Sequence, residues 1–332
     1  MYTFDSHQDI ADAILYASHG DFWRKNGLHE GWNNLGLPVN NQSDFIRLKQ
    51  GEIRAIFGVS CAFSTDKNGN IIPSPNHLHE TLKQINLFHQ LLAESKGKIQ
   101  LIRNRSDLKN IINYTLSFLL AIEGADSIDS ELVNLETFFN LAVRSIGLTW
   151  SFNNKLAGGC NEDGKLTNLG KKAIRKMNDL GIILDLSHLN DVSAYRAIEV
   201  SERPVIVSHA ACRTVYDHPR NVPDKLIKLV AQTGGAVGIC GVPKFIDKDP
   251  SIDDVASHFA HALKLVGVKH VIIGTDFGSM TAEKLIPQFE EVNDVPKLLA
   301  HLSKKLGLKK DELERIAHKN LEKILEKTLP KS

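Results

Sequence analysis

The chain has 332 residues, 42% of them hydrophobic and 24% charged, with 40 Lys and Arg against 39 Asp and Glu and a formal net charge of +1. That balance argues against nucleic-acid or anionic-membrane binding driven by net charge, and no apolar stretch reaches the ~18 residues that a membrane helix needs. The opening residues lack the basic and apolar regions of a secretory signal, so the expected address is the cytoplasm, and four dispersed cysteines without a C-x-x-C pair read as free thiols.

Along the chain, short apolar, β-branched runs alternate with stretches of helical spacing. Strands are predicted over residues 2–7, 55–60, 119–123, 146–150, 182–187, 205–208, 236–240 and 271–275, with 100–103 as an edge or connecting piece. Helices are predicted over 78–94, 130–145, 169–180, 192–200, 223–232, 252–266 and 295–306, and 311–327 reads as a closing helix. No Gly-x-Gly-x-x-Gly turn follows the first strand, so eight such units fit a (β/α)8 barrel better than an open doubly wound sheet. With no linker or low-complexity tract, residues 1–332 are read as one domain.

Every strand of a parallel barrel ends on the same rim, so residues just past the apolar runs converge. Those positions hold His7-Gln8-Asp9, Glu123-Gly124, Asp185-Leu186-Ser187-His188, Ser208-His209 and Thr275-Asp276-Phe277-Gly278. His-x-Asp alone is weak, but in extended chain residues i and i+2 share a side, so His7 and Asp9 can reach one ion. His188 and His209 lie one crossover apart, on adjacent strand ends. Several ionisable groups at the mouth of an apolar barrel need compensation, and a divalent cation supplies it better than two neutral imidazoles can. Nitrogen and carboxylate donors without thiolate suit Zn²⁺, with Mn²⁺, Co²⁺ or Fe²⁺ as alternatives. Two divalent ions are nearly balanced by Asp9, Glu123 and a hydroxide, and Asp276 completes neutrality. Glu123 is then the natural bridging carboxylate.

These residues resemble the membrane dipeptidase (renal dipeptidase) family of binuclear zinc peptidases, over nearly the whole chain. The likeness rests on His7-Gln8-Asp9, the run from Ala121 to Ile128, the run from Leu148 to Asn153, Asp185 to His188, Pro204 to His209 continuing to the run from His218 to Asp224, and Gly274 to Phe277. It implies two Zn²⁺ per chain at the C-terminal rim, with His7 and Asp9 on one, His188 and His209 on the other, and Glu123 on both. A metal-bridging hydroxide would attack the scissile carbonyl of a short peptide, and Asp276 would carry the proton to the leaving amine and seat the free ammonium. Arg220, with Asn221 beside it, matches the clamp for the substrate carboxylate. Tolerance of a C-terminal D-residue is also implied.

The chain departs from the family at two positions. Trp150 stands where mammalian members carry a substrate-binding His, and Gly278 where an acid often follows Asp-Phe. Both bear on substrate choice, and Trp150 keeps a second reading open: a small-amide or N-acyl-amino-acid hydrolase with an altered pocket. A metal sensor without activity is disfavoured because every ligand position is intact. Without the resemblance, Arg220 would read as a loop arginine paired to Asp217 or Asp224. Asp185 is read as orienting His188, and His218 as packing its loop. The expected partner is a small peptide, with neither nucleic acid nor membrane, and a homodimer is left open. His19, His29, His77, His79, His89, His258, His261, His270, His301 and His318 are assigned no chemistry.

Overall fold

The computed structural model describes residues 1–16, 21–32, 38–65, 71–281 and 284–331. Eight parallel strands form its centre: β1 (Thr3–Gln8), β2 (Ile53–Cys61), β3 (Leu116–Glu123), β4 (Val143–Gly147), β5 (Ile183–Asp185), β6 (Ile206–Ala210), β7 (Ala236–Ile239) and β8 (Val271–Ile273). Each pairs with the next, and β8 returns to β1 through Asp5 and Ile273, so the sheet closes. This is a (β/α)8 barrel with helices around it. The piece expected at 100–103 is a short strand, Ile99–Leu101, hydrogen-bonded beside the first half of β3.

Alternation within the strands builds two apolar layers. Phe4, Ala55, Phe57, Val59, Leu119, Ala121, Ile183, Ile206 and Ile272 fill the barrel interior. Their neighbours Ile56, Phe118, Leu120, Ile122, Leu184, Val207 and Ile273 face the helices. Each large aliphatic side chain buried in this way contributes about 1.5–3 kcal/mol. Leu321, Ile324, Leu325 and Leu329 belong to the interior cluster, so the last helix seals the end of the barrel opposite the rim.

Among the breaks in alternation, those on β1 and β6 aim the functional side chains. On β1, Asp5 pairs with Ile56 and Gln8 with Gly58, so Ser6 and His7 together oppose Phe57. On β6, Val207 pairs with Val237 and Ala210 with Ile239, so Ser208 and His209 together oppose Gly238. Each bulge adds one residue and turns the histidine toward the interior, where strict alternation would have sent it to the helices. A Cβ on Gly238 would lie 2.0 Å from the Ser208 carbonyl oxygen, so the β6 bulge requires glycine there.

The departures from the sequence reading that change an element's length or kind lie around β4 and in the closing helix. The helix expected over 130–145 is only Val133–Asn140, because Ala142 adopts a left-handed φ of 74° and the chain turns into β4. That strand therefore starts three residues before the expected 146. Arg144 masked it: a charged residue inside an apolar run, its guanidinium donating to the carbonyls of Arg103, Phe139 and Val143. The closing helix runs Lys310–Glu314, then one wide π-helical turn, Arg315–Lys319, then Asn320–Thr328. Asn320 donates to the Val268 and Val271 carbonyls at 2.6 and 2.8 Å, tying this helix to β8. Among the described residues no helix is long and apolar enough to cross a membrane.

Candidate metal centre

Six of the seven ionisable residues picked out at the strand ends meet in one cluster at the rim. His188 Nε2 lies 2.8 Å from Glu123 Oε1, and His209 Nε2 lies 3.3 Å from the same oxygen. His7 Nε2 sits 3.7 Å from it, and 3.5 Å from both Asp9 Oδ1 and Asp276 Oδ1. Asp276 Oδ2 is 3.8 Å from His209 Nε2. Two overlapping groups, His7 with Glu123 and His209, and His7 with Asp9 and Asp276, have the spacing to hold an ion. Residues from β1, β3, β6 and the turns after β5 and β8 thus meet around one point.

The turns that deliver them are strained. His188 and Asp276 adopt left-handed φ angles of 64° and 61°, unusual for residues with a Cβ, and Ser151 beside them has 61°. Asp5 anchors the other side. Fully buried, it accepts from the amides of His7 and Thr275, the Thr275 hydroxyl and the Gln8 side chain, locking the end of β1 to the end of β8. Asp9 follows, its amide donating to the Phe277 carbonyl at 2.9 Å.

The imidazoles are held by their outer nitrogens. His188 Nδ1 meets Ser151 Oγ at 2.9 Å, and His209 Nδ1 meets Ser208 Oγ at 2.9 Å. His7 Nδ1 reaches Ser208 Oγ at 3.4 Å. All three Nε2 atoms therefore turn inward on Glu123. His7 Nε2 and Glu123 Oε1 are buried without a hydrogen-bond partner in the protein, a costly state that a cation would relieve. Inward lone pairs, outward hydrogen bonds and unsatisfied buried acceptors fit a metal centre.

The electrostatics agree. Burial alone would raise the Glu123 carboxyl, but His188 and His7 beside it hold it well below the usual carboxylate range. Burial works against a charged His7, yet the charges of Glu123, Asp9 and Asp276 push its pKa up to about 10. His209 goes the other way: burial, the charge on His7 and that on Arg220 keep it neutral. Burial, reinforced by Asp9 and Glu123 and opposed by His7, lifts the Asp276 carboxyl to about 7. The cluster draws in positive charge but cannot place protons on three nitrogens that face one another.

Residues 1–330 match the family described as Membrane dipeptidase (Peptidase family M19). The chain belongs to the membrane dipeptidase family. It is 31% identical to an uncharacterized dipeptidase of Schizosaccharomyces pombe over 91% of this chain and 78% of that one. It is 29% identical to Dipeptidase verJ of Clonostachys rogersoniana over 96% of this chain and 84% of that one. A metallo peptidase from Rhodobacter sphaeroides, liganded with a phosphinate mimic of the dipeptide L-Ala-D-Ala, shares the fold with a TM-score of 0.84 at 20% identity, over 99% of both chains. The membrane dipeptidase relationship makes the chain a peptide-bond hydrolase acting on dipeptides.

The remaining expected residues of this dipeptidase fall as follows. Arg220 is buried, its Nη2 donating to the His209 carbonyl at 2.9 Å, while its Nε finds no partner. Among the described residues no carboxylate pairs with it: Asp224 is taken by His261 and Thr214, which corrects the loop-arginine pairing. Asn221 Oδ1 is buried without a hydrogen-bond partner. Its Nδ2 donates to the Tyr216 and Phe245 carbonyls at 2.9 and 2.7 Å, bracing the loop that carries Arg220. Trp150 stacks between His188, 6.0 Å away, and Phe63, 5.6 Å away, as an aromatic wall. Gly278 has no room for a side chain, since a Cβ there would lie 2.5 Å from Asp9 Cβ.

Asp185 does not orient His188. It accepts from the amides of Ser187 and Ser208 and from the Ser208 hydroxyl, so it acts toward His209 and His7 instead. His218 packs as expected for a loop residue, its ring 4.9 Å from Phe245 and its Nδ1 accepting from the Arg220 amide. His258 is hydrogen-bonded inside the core, and His261 and His301 pair with Asp224 and Asp253. His19 lies outside the described residues. Sequence reasoning missed Ser151, Ser208 and Asp5. The visible signal was a serine directly before each of His7, His188 and His209.

Proposed function

We propose that the chain is a zinc-dependent dipeptidase with two Zn²⁺ per chain, held by His7 and Asp9 on one side, His188 and His209 on the other, and Glu123 between them. The observation that carries this is the convergence of three inward-facing Nε2 atoms on Glu123 Oε1, with that oxygen and His7 Nε2 buried and unsatisfied. Donors limited to imidazole and carboxylate support zinc over softer or oxygen-seeking ions. When bound, the metal pair would supply Lewis acidity, acidifying water near neutral pH and stabilising charge that develops on the carbonyl oxygen.

The chain's own groups do the rest. Asp276 faces both His7 and His209. Its carboxyl is placed to accept the proton lost by the attacking water and return it to the leaving amine. The same carboxylate region seats the substrate's free ammonium. Arg220, a buried cation without a carboxylate of its own, binds the substrate's terminal carboxylate. A positive clamp and an anionic seat at opposite ends measure a dipeptide. The Rhodobacter neighbour holds an L-Ala-D-Ala mimic. On that likeness the proposal extends to substrates with a C-terminal D-residue.

A second reading, hydrolysis of small amides or N-acyl amino acids, is favoured by Trp150. Its single indole donor replaces a titratable imidazole beside His188. Turnover of Xaa-Gly and Xaa-D-Ala dipeptides, compared with their N-acetylated forms, separates the two. The dipeptidase reading expects turnover of the free dipeptides alone, two zinc ions per chain by elemental analysis, and loss of activity with a chelator. Turnover of the acetylated forms would favour the second reading, and an inert chain that binds no zinc would refute both.

A further inference from the structure

Ser208 stands apart from the other hydroxyls around the centre because it touches two of the three inward-facing imidazoles. Its Oγ lies 2.9 Å from His209 Nδ1 and 3.4 Å from His7 Nδ1. Its hydrogen is already committed, since Asp185 Oδ2 sits within hydrogen-bond reach. The direction of that bond is fixed by Asp185 itself. Its other oxygen accepts the amides of Ser187 and Ser208 at 3.0 and 2.9 Å, and an ionised carboxylate has only acceptor capacity.

A hydroxyl that donates its hydrogen has two lone pairs left; Ser187 Oγ lies 3.1 Å away but gives its hydrogen to the His209 carbonyl at 3.3 Å, which leaves the two imidazole N–H groups to fill them. With the proton on Nδ1 in both rings, both Nε2 lone pairs face inward. The two bulges make this sharing possible. They bring Ser6-His7 and Ser208-His209 to neighbouring positions at the rim, with the two rings 3.7 Å apart between centroids. Ser151 differs: it holds the outer nitrogen of His188 alone, at 2.9 Å.

We propose that Ser208, backed by Asp185, is a positioning residue that fixes the Nδ1–H tautomer of His7 and His209 together, so that one hydroxyl prepares a ligand for each of the two zinc ions. This rests on the zinc reading above. Partners of this kind commonly govern about 10- to 100-fold in metal affinity, and here one of them governs both sites. Asp185→Asn tests the direction of the relay. The two backbone amides still require an oxygen, which leaves the new Nδ2–H facing Ser208 Oγ. That donor occupies one of the two lone pairs, so an imidazole loses its acceptor although the side chain keeps its shape.

The test uses the full chain, with zinc affinities measured by competition against a chromophoric chelator and the zinc-loaded protein examined by ¹⁵N-histidine NMR. Ser208→Ala and Asp185→Asn are expected to weaken both zinc sites by about 10- to 100-fold and to speed solvent exchange of the His7 and His209 Nδ1 protons. Ser151→Ala is expected to weaken one site and to move the His188 signal alone. If Ser208→Ala leaves either zinc affinity unchanged, or loosens all three histidines alike, the relay is wrong while the zinc reading stands. If the wild-type chain binds no zinc, both fall.

Discussion

Arg220 offers the sharpest test of how the site measures its substrate. The side chain is 5% exposed, its Nε–H has no acceptor, and Nη2 donates to the His209 carbonyl at 2.9 Å. A desolvated cation left this way is unfavourable until a carboxylate arrives, so the charge-assisted bond to a substrate should exceed a surface pair. Such bonds contribute about 1.5–3 kcal/mol, which converts to about 10- to 150-fold in kcat/KM. Arg220→Ala should therefore lower kcat/KM for a free dipeptide by that factor, chiefly through KM. The truncation leaves the His209 carbonyl with the Ser187 hydroxyl at 3.3 Å, so it is not stranded. The decisive comparison is the same dipeptide as its C-terminal amide, which offers no anion. Its kcat/KM should change by less than about threefold on mutation, and Arg220→Lys should restore part of the acid's advantage as a point charge without the fork. Equal losses for acid and amide would mean that Arg220 only supports the β6 loop, and the clamp would be refuted.

The barrel was legible because its strands are buried on both faces. Runs such as Leu119 to Ile122 and Val271 to Ile273 carry little but aliphatic residues, and each is followed by helical spacing. What hid was short or locally interrupted. The small antiparallel sheet of Gly31–Trp32, Pro38–Asn41 and Ser279–Thr281 has strands of two to four residues, too brief for any period to register. Arg144 broke the apolar run of β4, and its charge is satisfied by the nearby Phe139 and Val143 carbonyls together with that of Arg103, distant in sequence.

The rim residues were legible for a different reason: His, Asp and Glu just past an apolar run are conspicuous. The supports were not. A buried serine looks like any small strand residue, and nothing in the string Val207-Ser208-His209 says that one hydroxyl will serve two rings. That depends on the bulges, and a bulge is a relation between two strands, set by Gly238 across the ladder from Ser208. Asp5 was lost inside a predicted strand because its four partners come from the chain's beginning and from Thr275 near its end. Side-chain identity told which chemistry was present; pairing between distant segments decided which atoms face it.

Two further substitutions probe the centre itself. Glu123→Gln removes the charge toward which three Nε2 atoms converge, so zinc content should fall below that of the wild type and turnover by about 100-fold or more. Full zinc occupancy with unchanged turnover would remove Glu123 from the mechanism. Gly278→Ala tests why a glycine stands at this position. The added Cβ would lie 2.5 Å from Asp9 Cβ and 2.8 Å from the Asp9 carbonyl oxygen, so backbone must move. Asp9 cannot yield freely, because its amide is bonded to the Phe277 carbonyl at 2.9 Å and Gln8 bridges Phe277. Overpacking of this kind costs about 1–3 kcal/mol, which for a chain of this length lowers Tm by roughly 1–5 °C. On the proposed zinc assignment the displacement falls on Asp9, so the His7 and Asp9 site should lose zinc before the His188 and His209 site does. An alanine variant with unchanged Tm and both zinc ions retained would show that the glycine is incidental and that the contact with Asp9 does not hold that carboxylate in place.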